Sequence, residues 1–288
     1  MSLWYTETYN DRTRTGVRVT ETLFSAESAF QTIEVFDTPQ YGKVLVLDGL
    51  FQTSEGEEHL YHEMLVHPAM TVAPKIERVL VIGGGDGGTA REVLRHPGVQ
   101  QVVMVEIDPM VVEACKTHMP ALNDGAFEDP RMTLRIEDAV KYVAELAPGT
   151  FDVAILDGSD PVGPSEGLFN RSFHESVKRA LTDEGVFAVQ SESPIIFKDV
   201  FVELVQLMAE VFPQAKPCFG NVPLYGGAGW SWTVASMNPE LDLLAPRADR
   251  LEHIVARCKH YNADIHRGAF AMPNNIRAML ETPAQQEG

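Results

Sequence analysis

The stretch Val79-Leu80-Val81-Ile82-Gly83-Gly84-Gly85-Asp86-Gly87-Gly88 constrains the fold of this chain more than any other. Consecutive apolar residues ahead of a glycine-rich turn read as a strand buried on both faces, the pattern of a parallel sheet. Glycines let the backbone reverse tightly against a ligand. Gly83, Gly85 and Gly88 match the G-x-G-x-x-G spacing of dinucleotide loops, but Asp86 stands inside the motif. A carboxylate there repels a pyrophosphate and attracts a cation. The loop therefore points to a nucleoside carrying positive charge; the plainer alternative is a tight turn with a solvent-facing Asp.

From residue 77 onward apolar runs and helical spacings alternate. Strands are expected at 78–82, 101–107, 132–136, 151–157, 185–190, 216–224 and 230–237, and helices at 88–96, 109–119, 139–146, 169–181 and 197–212. This βαβ rhythm predicts an α/β fold, a doubly wound parallel sheet with an antiparallel edge, whose ligands sit beyond the carboxyl ends of the strands. Residues 17–54 read instead as a β-meander, with short strands at 31–36, 43–47 and 50–53 and a hairpin signal at Asp48-Gly49. Residues 57–73 switch to helical spacing, and residues 240–288 read as a helical and loop appendage. The expected organisation is a small N-terminal β domain with its connecting helix, 1–73, and a catalytic α/β domain, 74–288.

The chain carries 23 Lys and Arg against 41 Asp and Glu, a formal net charge of −18. Such an excess disfavours nucleic acid and anionic membranes as partners and favours cations such as polyamines, with solubility as a competing reason for it. Cys115, Cys218 and Cys258 form no C-x-x-C pair, so neither a disulfide framework nor a zinc site is expected, and a reducing, cytoplasmic setting is. The N-terminal residues lack a signal-peptide pattern, and no apolar run is long enough to span a membrane.

Acidic residues fall at or just past the expected strand ends. Asp86 follows the first, and Glu106 ends the second about 20 residues past the glycines, where an acid suits a ribose diol. Asp138 follows the third, where it could accept from an adenine amino group, and Asp157 ends the fourth. Any one could be a helix N-cap; acids in register across four strands are harder to explain that way. Asp157 and Asp160 could act as an acid/base pair or clamp an ammonium. Pro161-Val162-Gly163-Pro164 reads as a lid or a plain surface loop. His62 and His67 are five apart, whereas a helical zinc pair needs four, and His59 and His62, three apart, have no evident third ligand, so no metal is expected and these three histidines are assigned to a partly exposed helix face. Tyr225, ahead of Trp230-Ser231-Trp232, could line an alkyl slot or simply pack a hairpin; Trp4 and Tyr5 share that ambiguity.

Taken together the chain resembles the spermidine synthase family of polyamine aminopropyltransferases. The matching segments are Leu47-Asp48-Gly49 with Gln52, Tyr61-His62-Glu63-Met64, the glycine loop, Glu106-Ile107-Asp108, Asp157 with Asp160-Pro161-Val162-Gly163-Pro164, Tyr225, His260-Tyr261-Asn262 and Ile265–Phe270. The resemblance implies a small N-terminal β domain on a Rossmann-like, methyltransferase-type sheet, assembled as a homodimer or homotetramer. It implies transfer of an aminopropyl group from decarboxylated S-adenosylmethionine, a co-substrate with no further cofactor, to putrescine, giving spermidine and 5'-methylthioadenosine. By position, Gln31, His62, Asp86, Glu106 and Asp138 would hold the donor, Asp157 would be catalytic, and Tyr61, Asp160, Tyr225 and Trp4 would place the acceptor. Gly56, His59, Ala139 and Leu224 depart from the family pattern. Those departures leave cadaverine, agmatine or spermidine open as acceptors. A diamine N-methyltransferase is disfavoured because Asp86 would repel the carboxylate of intact S-adenosylmethionine. A nicotinamide-dependent oxidoreductase leaves Asp86 and Asp157 unexplained, and a non-catalytic polyamine sensor leaves Tyr61, Asp157 and Tyr225 without a task.

Overall fold

A computed structural model describes residues 3–9, 13–159, 163–227 and 229–281. The N-terminal part is all β. Strands β1 (Leu3–Tyr9) and β2 (Thr13–Val19) form an antiparallel pair, and β3 (Glu21–Glu27), β4 (Thr32–Thr38), β5 (Gly42–Leu47) and β6 (Leu50–Ser54) form a four-stranded meander. The Asp48-Gly49 turn between β5 and β6 has positive φ at both residues (47° and 87°), as a two-residue hairpin loop requires. Strands β1 and β2 begin ahead of the expected meander; their mixed polar sequences carry too little apolar alternation to stand out.

Helix α1 (Glu58–Val72) leads into the larger part. There follow β7 (Arg78–Gly83), α2 (Gly88–Leu94), β8 (Gln101–Glu106), α3 (Pro109–His118), α4 (Pro120–Asn123), β9 (Met132–Ile136), α5 (Ala139–Glu145) and β10 (Phe151–Asp157). The chain continues through α6 (Arg171–Ala180), β11 (Leu181–Gln190), α7 (Lys198–Val211), β12 (Gln214–Gly220) and β13 (Trp230–Ser236), and then α8 (Ala248–Ile254), α9 (Ala263–Ala269) and α10 (Asn274–Glu281). The sheet order is β12-β13-β11-β10-β7-β8-β9, parallel from β11 to β9, with β13 antiparallel to β11 and to β12. Along β7, Val79 and Val81 pack into the cluster under α1, while Leu80 and Ile82 pack into the opposite one. Burial on both faces is why these strands read as unbroken apolar runs. The chain winds outward from β7 through β8 to β9 and restarts beside β7 at β10. The crevice at that reversal, past the carboxyl ends of β7 and β10, is where a doubly wound sheet binds its ligand.

Two expectations change. β12 ends at Gly220, and Pro223–Tyr225 form a 3-10 turn rather than the end of a strand. Pro223 and the left-handed Gly226 stop the ladder there. Of the histidines of α1 only His59 lies on a partly exposed face; His62 and His67 are buried, as is every other residue of this helix except Leu60. The helix is sandwiched between the sheet and the C-terminal segment, because Glu63 accepts the backbone N–H groups of Lys259, His260 and Tyr261 at 2.8, 2.9 and 2.7 Å.

Candidate active site

At the switch point a cleft of about 1200 Å³, measured to its open mouth, is lined from both parts of the chain. Its floor is built by the glycine turn. Gly83 has φ +76°, and a Cβ there would lie 2.2 Å from the Asp157 carbonyl oxygen, so only glycine lets β7 turn against the end of β10. The Gly84 N–H donates to that same carbonyl at 2.9 Å. Asp157 is thereby fixed at the carboxyl end of its strand, opposite Gly83 in the parallel register.

Both oxygens of the Asp157 carboxyl are engaged. The Tyr61 hydroxyl donates to Oδ1 at 2.9 Å and the Thr89 hydroxyl to Oδ2 at 2.7 Å. Burial pushes the Asp157 carboxyl up; the nearby His62 charge and these hydroxyls pull it back, while Asp86 pushes it further up, and the net displacement is upward. A carboxylate oxygen has two lone pairs, so each retains one acceptor site. Glu106, at the end of β8, accepts the Asp108 N–H at 2.9 Å. Burial, partly offset by that hydrogen bond, pushes it up to about 7.

His62 sits between two carboxylates, with Nδ1 2.8 Å from Glu58 Oε2 and Nε2 3.5 Å from Asp86 Oδ2. Burial alone would lower its pKa, but Asp86 and Glu58 outweigh that and hold the imidazole protonated well above its ordinary range. Asp86 is placed by the turn itself, accepting the Gly88 N–H at 2.6 Å. Among the described residues, no group of three or more His, Cys, Asp or Glu could hold a metal ion.

Other sequence candidates line the same cleft. Gln31 reaches it from the N-terminal meander and is held by Asp108, its Nε2 donating to Oδ2 at 3.1 Å. Asp138 is both the N-cap of α5, accepting from Val140 N–H at 2.9 Å, and part of the lining. Tyr225 packs edge-on to Tyr61 with ring centroids 5.9 Å apart, and its hydroxyl donates to the Gln52 carbonyl. Asp160 lies outside the described residues, as do Pro161 and Val162.

Trp4 requires a correction. It is 58% exposed and takes no part in the lining. Strand alternation explains this: on β1 the inward positions are Tyr5, Glu7 and Tyr9, and Trp4 points the other way. Glu7 and Tyr9 do line the cleft and were missed, because β1 itself was not recognised. Thr89 was missed as well. Its signal was its place in the first turn of the helix after the glycines, where side chains lean back toward the N-terminus.

The geometry is that of an acid-lined cleft suited to a cationic ligand with a nucleoside end. Comparison with known proteins is in accord. Residues 58–245 match the family model described as the spermine/spermidine synthase domain, and residues 3–55 match the spermidine synthase tetramerisation domain. The polyamine aminopropyltransferase of Desulforudis audaxviator is 43% identical over 95% of this chain and 97% of its own length. That of Prochlorococcus marinus is 46% identical over 90% of each. Among solved structures, a spermidine synthase in complex with the transition state analogue AdoDATO superposes with a TM-score of 0.92 at 34% identity, covering 96% of this chain and 94% of its own. The Thermotoga maritima spermidine synthase gives 0.91 at 34% identity over the same shares.

Proposed function

The chain belongs to the spermine/spermidine synthase family and is a polyamine aminopropyltransferase, and on that premise we propose that it transfers the aminopropyl group of decarboxylated S-adenosylmethionine to putrescine, giving spermidine and 5'-methylthioadenosine. The observation that carries the reading is Asp157, half-buried at the switch point near Asp86, with one acceptor site left on each carboxylate oxygen. An alkyl ammonium has a pKa near ~10.4 and must shed a proton before it can attack. Asp157 takes a proton from the acceptor ammonium and, still hydrogen-bonded to the amine, aims the freed lone pair at the carbon next to the sulfonium, so that C–N bond formation leaves a secondary ammonium. The raised proton affinity of Asp157 suits it to that task. The sulfur leaves as a neutral thioether with the bonding pair, so no general acid is required.

The remaining groups position two cations that repel each other in water. Asp86 holds the ammonium of the donor's aminopropyl chain, Glu106 the ribose hydroxyls, Asp138 the adenine amino group, and Gln31 closes the nucleoside end. Tyr61 and Tyr225 line the acceptor's alkyl slot. His62 has both ring nitrogens committed to Glu58 and Asp86, so its part in donor binding is to hold Asp86. The match of residues 3–55 to a tetramerisation domain supports assembly as a homo-oligomer. The free cysteines support a reducing, cytoplasmic setting.

The test is mass spectrometry after incubating the purified protein with decarboxylated S-adenosylmethionine and an equimolar mixture of putrescine, cadaverine, agmatine and spermidine. Methylthioadenosine with spermidine as the dominant product bears the proposal out. A different aminopropylated amine moves the acceptor assignment, and the absence of methylthioadenosine rejects the reading. Asp157→Asn should retain methylthioadenosine binding and lose at least ~10²-fold in kcat, the scale of a lost general base; near-normal turnover would remove Asp157 from the catalytic role.

A further inference from the structure

Behind the cleft lies a buried row of alternating charges that the reaction as written does not use. Glu58 and His62 are four residues apart on α1, hence on one face. Glu58 Oε2 accepts from His62 Nδ1 at 2.8 Å and from Arg91 Nη2 at 2.6 Å. Arg91 also donates to Glu92 and to the Leu122 carbonyl at 2.6 Å. Glu58 and Arg91 are each 7% exposed, and His62 is 1% exposed. The ring of His62 lies directly against the start of α2, where a Cβ on Gly88 would come within 2.3 Å of its Cε1. The ring has no room to swing.

We propose that Glu58 is a positioning residue: by holding Nδ1 of His62 it makes the opposite nitrogen a fixed, charged donor toward Asp86, and so sets where Asp86 meets the cationic end of the donor. The claim rests on the proposed function for its consequence and on geometry for its cause. Asp86 has two anchors, a hydrogen bond from the Gly88 N–H at 2.6 Å on Oδ1 and a longer ion-pair contact from His62 Nε2, 3.5 Å from Oδ2. Without the second, the carboxyl is free to rotate about its bond to Cβ. A neutral imidazole is a poor second anchor, because its single N–H goes to whichever carboxylate attracts it more strongly, and Glu58 is the nearer. Only the imidazolium donates to both.

The groups that face His62 are few. On α1 these are Glu58 and the Tyr61 ring, 5.4 Å away by centroids. Asp86 faces it from the glycine turn, Asp157 from the end of β10, and Arg91 from α2 through Glu58. Asp157 and Asp86 reinforce the positive charge and are needed for catalysis in their own right. Glu58 lies on the far side of the ring, within the protein, and is absent from the cleft lining. Glu58 is therefore the one of these groups whose replacement changes the charge on His62 without touching substrate.

The experiment has two arms. Nitrogen-15 NMR of the histidine rings, with His62→Gln identifying the resonance, reads the protonation of His62 directly and needs no turnover. In the unaltered protein His62 should stay charged well above the ordinary imidazole range, and in Glu58→Gln it should lose its proton at a lower pH. In the second arm, the ratio of kcat/KM for decarboxylated S-adenosylmethionine in Glu58→Gln to that in the unaltered enzyme is followed with pH, so that shared ionisations cancel. The ratio should fall a few-fold as pH rises through the titration of His62 in the variant: with the Glu58 carboxylate gone the neutral ring can still donate to Asp86, and what is lost is the charge on that donor. In a His62→Gln background the added Glu58→Gln change should leave the ratio flat. A neutral His62 at pH 7 in the unaltered protein overturns the proposal, and so does a pH-independent loss in Glu58→Gln, the signature of a merely structural role. An unaltered enzyme that forms no methylthioadenosine would refute the proposed function instead, while the NMR arm still decides the state of His62.

Discussion

His174 offers a direct test of how burial governs the acid stability of this fold. It lies on α6 within the core beneath the sheet, 0% exposed, between the rings of Phe173 and Phe187 at 5.9 and 5.7 Å by centroids. Neither ring nitrogen finds a hydrogen-bond partner among the described residues. Burial is the sole cause of its displacement, from an ordinary value of 6.5 down to about 4. Between those two values the unfolded chain binds a proton that the folded chain refuses. The stability present above pH 6.5 is therefore lost progressively as pH falls toward 4. Integrating that difference from pH 7 to pH 5 gives a loss of about 2 kcal/mol from this residue alone. In His174→Leu the titration is gone and the volume is nearly kept. Its urea-unfolding free energy should therefore fall about 2 kcal/mol less than that of the unaltered protein between pH 7 and pH 5. At pH 7 the variant should already be about 1 kcal/mol more stable, because two unsatisfied polar nitrogens leave the core. Subunit concentration must be held constant, since assembly contributes to apparent stability. Parallel pH profiles for the two proteins would refute the reasoning and imply that His174 is partnered in solution.

Further predictions follow the same logic. Glu63→Gln places an amide donor among three backbone N–H donors now satisfied by a carboxylate, and should cost about 3 kcal/mol in thermal or urea unfolding. Gly88→Ala drives a methyl into the His62 ring; methylthioadenosine affinity, measured by calorimetry, should drop at least about tenfold, the effect of a displaced anchor of that size. Glu106 at about 7 should ionise on meeting a ribose diol, so methylthioadenosine binding at pH 6.5 should release up to about 0.8 proton and weaken as pH falls. Calorimetry in buffers of different ionisation enthalpy measures the release, and proton uptake would contradict the assignment.

How much of this was legible in the sequence depends on how far each residue's partners lie along the chain. The parallel strands β7, β8 and β10 and the acids at their ends could be placed because burial on both faces leaves an apolar run, and a site residue follows where that run stops; the edge strand β9, largely exposed, was read from alternation instead. The Asp48-Gly49 hairpin was equally local. What could not be read are features whose meaning comes from a distant segment. Glu7 and Tyr9 reach the cleft only because β1 folds back over it. Helix α1 reads from its spacing as a helix with a partly exposed histidine face, yet it is buried on nearly every side by elements as far away as His260 and Tyr261. Glu58 reads as a surface acid at a helix start until Arg91 arrives on α2. Trp4 failed for the opposite reason: an aromatic near other aromatics suggested a site, but the phase of the strand turned it outward.

The cleft gathers Asp86, Asp157 and Glu106 along one lining, an arrangement in which burial alone would favour the neutral acids. Each acid escapes that outcome by a different route. Asp86 has the protonated His62 as counter-ion, Asp157 has two hydroxyl donors, and Glu106 has a backbone N–H and remains near the point of half-ionisation. These routes differ in what a substrate can do to them. A cation entering the slot strengthens the charged form of Asp157 and of Glu106 and competes with His62 for Asp86. The counter-ion to be displaced is therefore supplied from within the protein, through Glu58 and Arg91, rather than from solvent. An acidic site built this way holds a counter-ion at Asp86 in the absence of ligand, while Glu106, near half-ionisation, gains the rest of its charge when a ligand arrives. The −18 net charge of the whole chain cannot supply that property, because surface charges are screened within about 10 Å at 0.1 M salt, whereas the buried row behind the cleft is not.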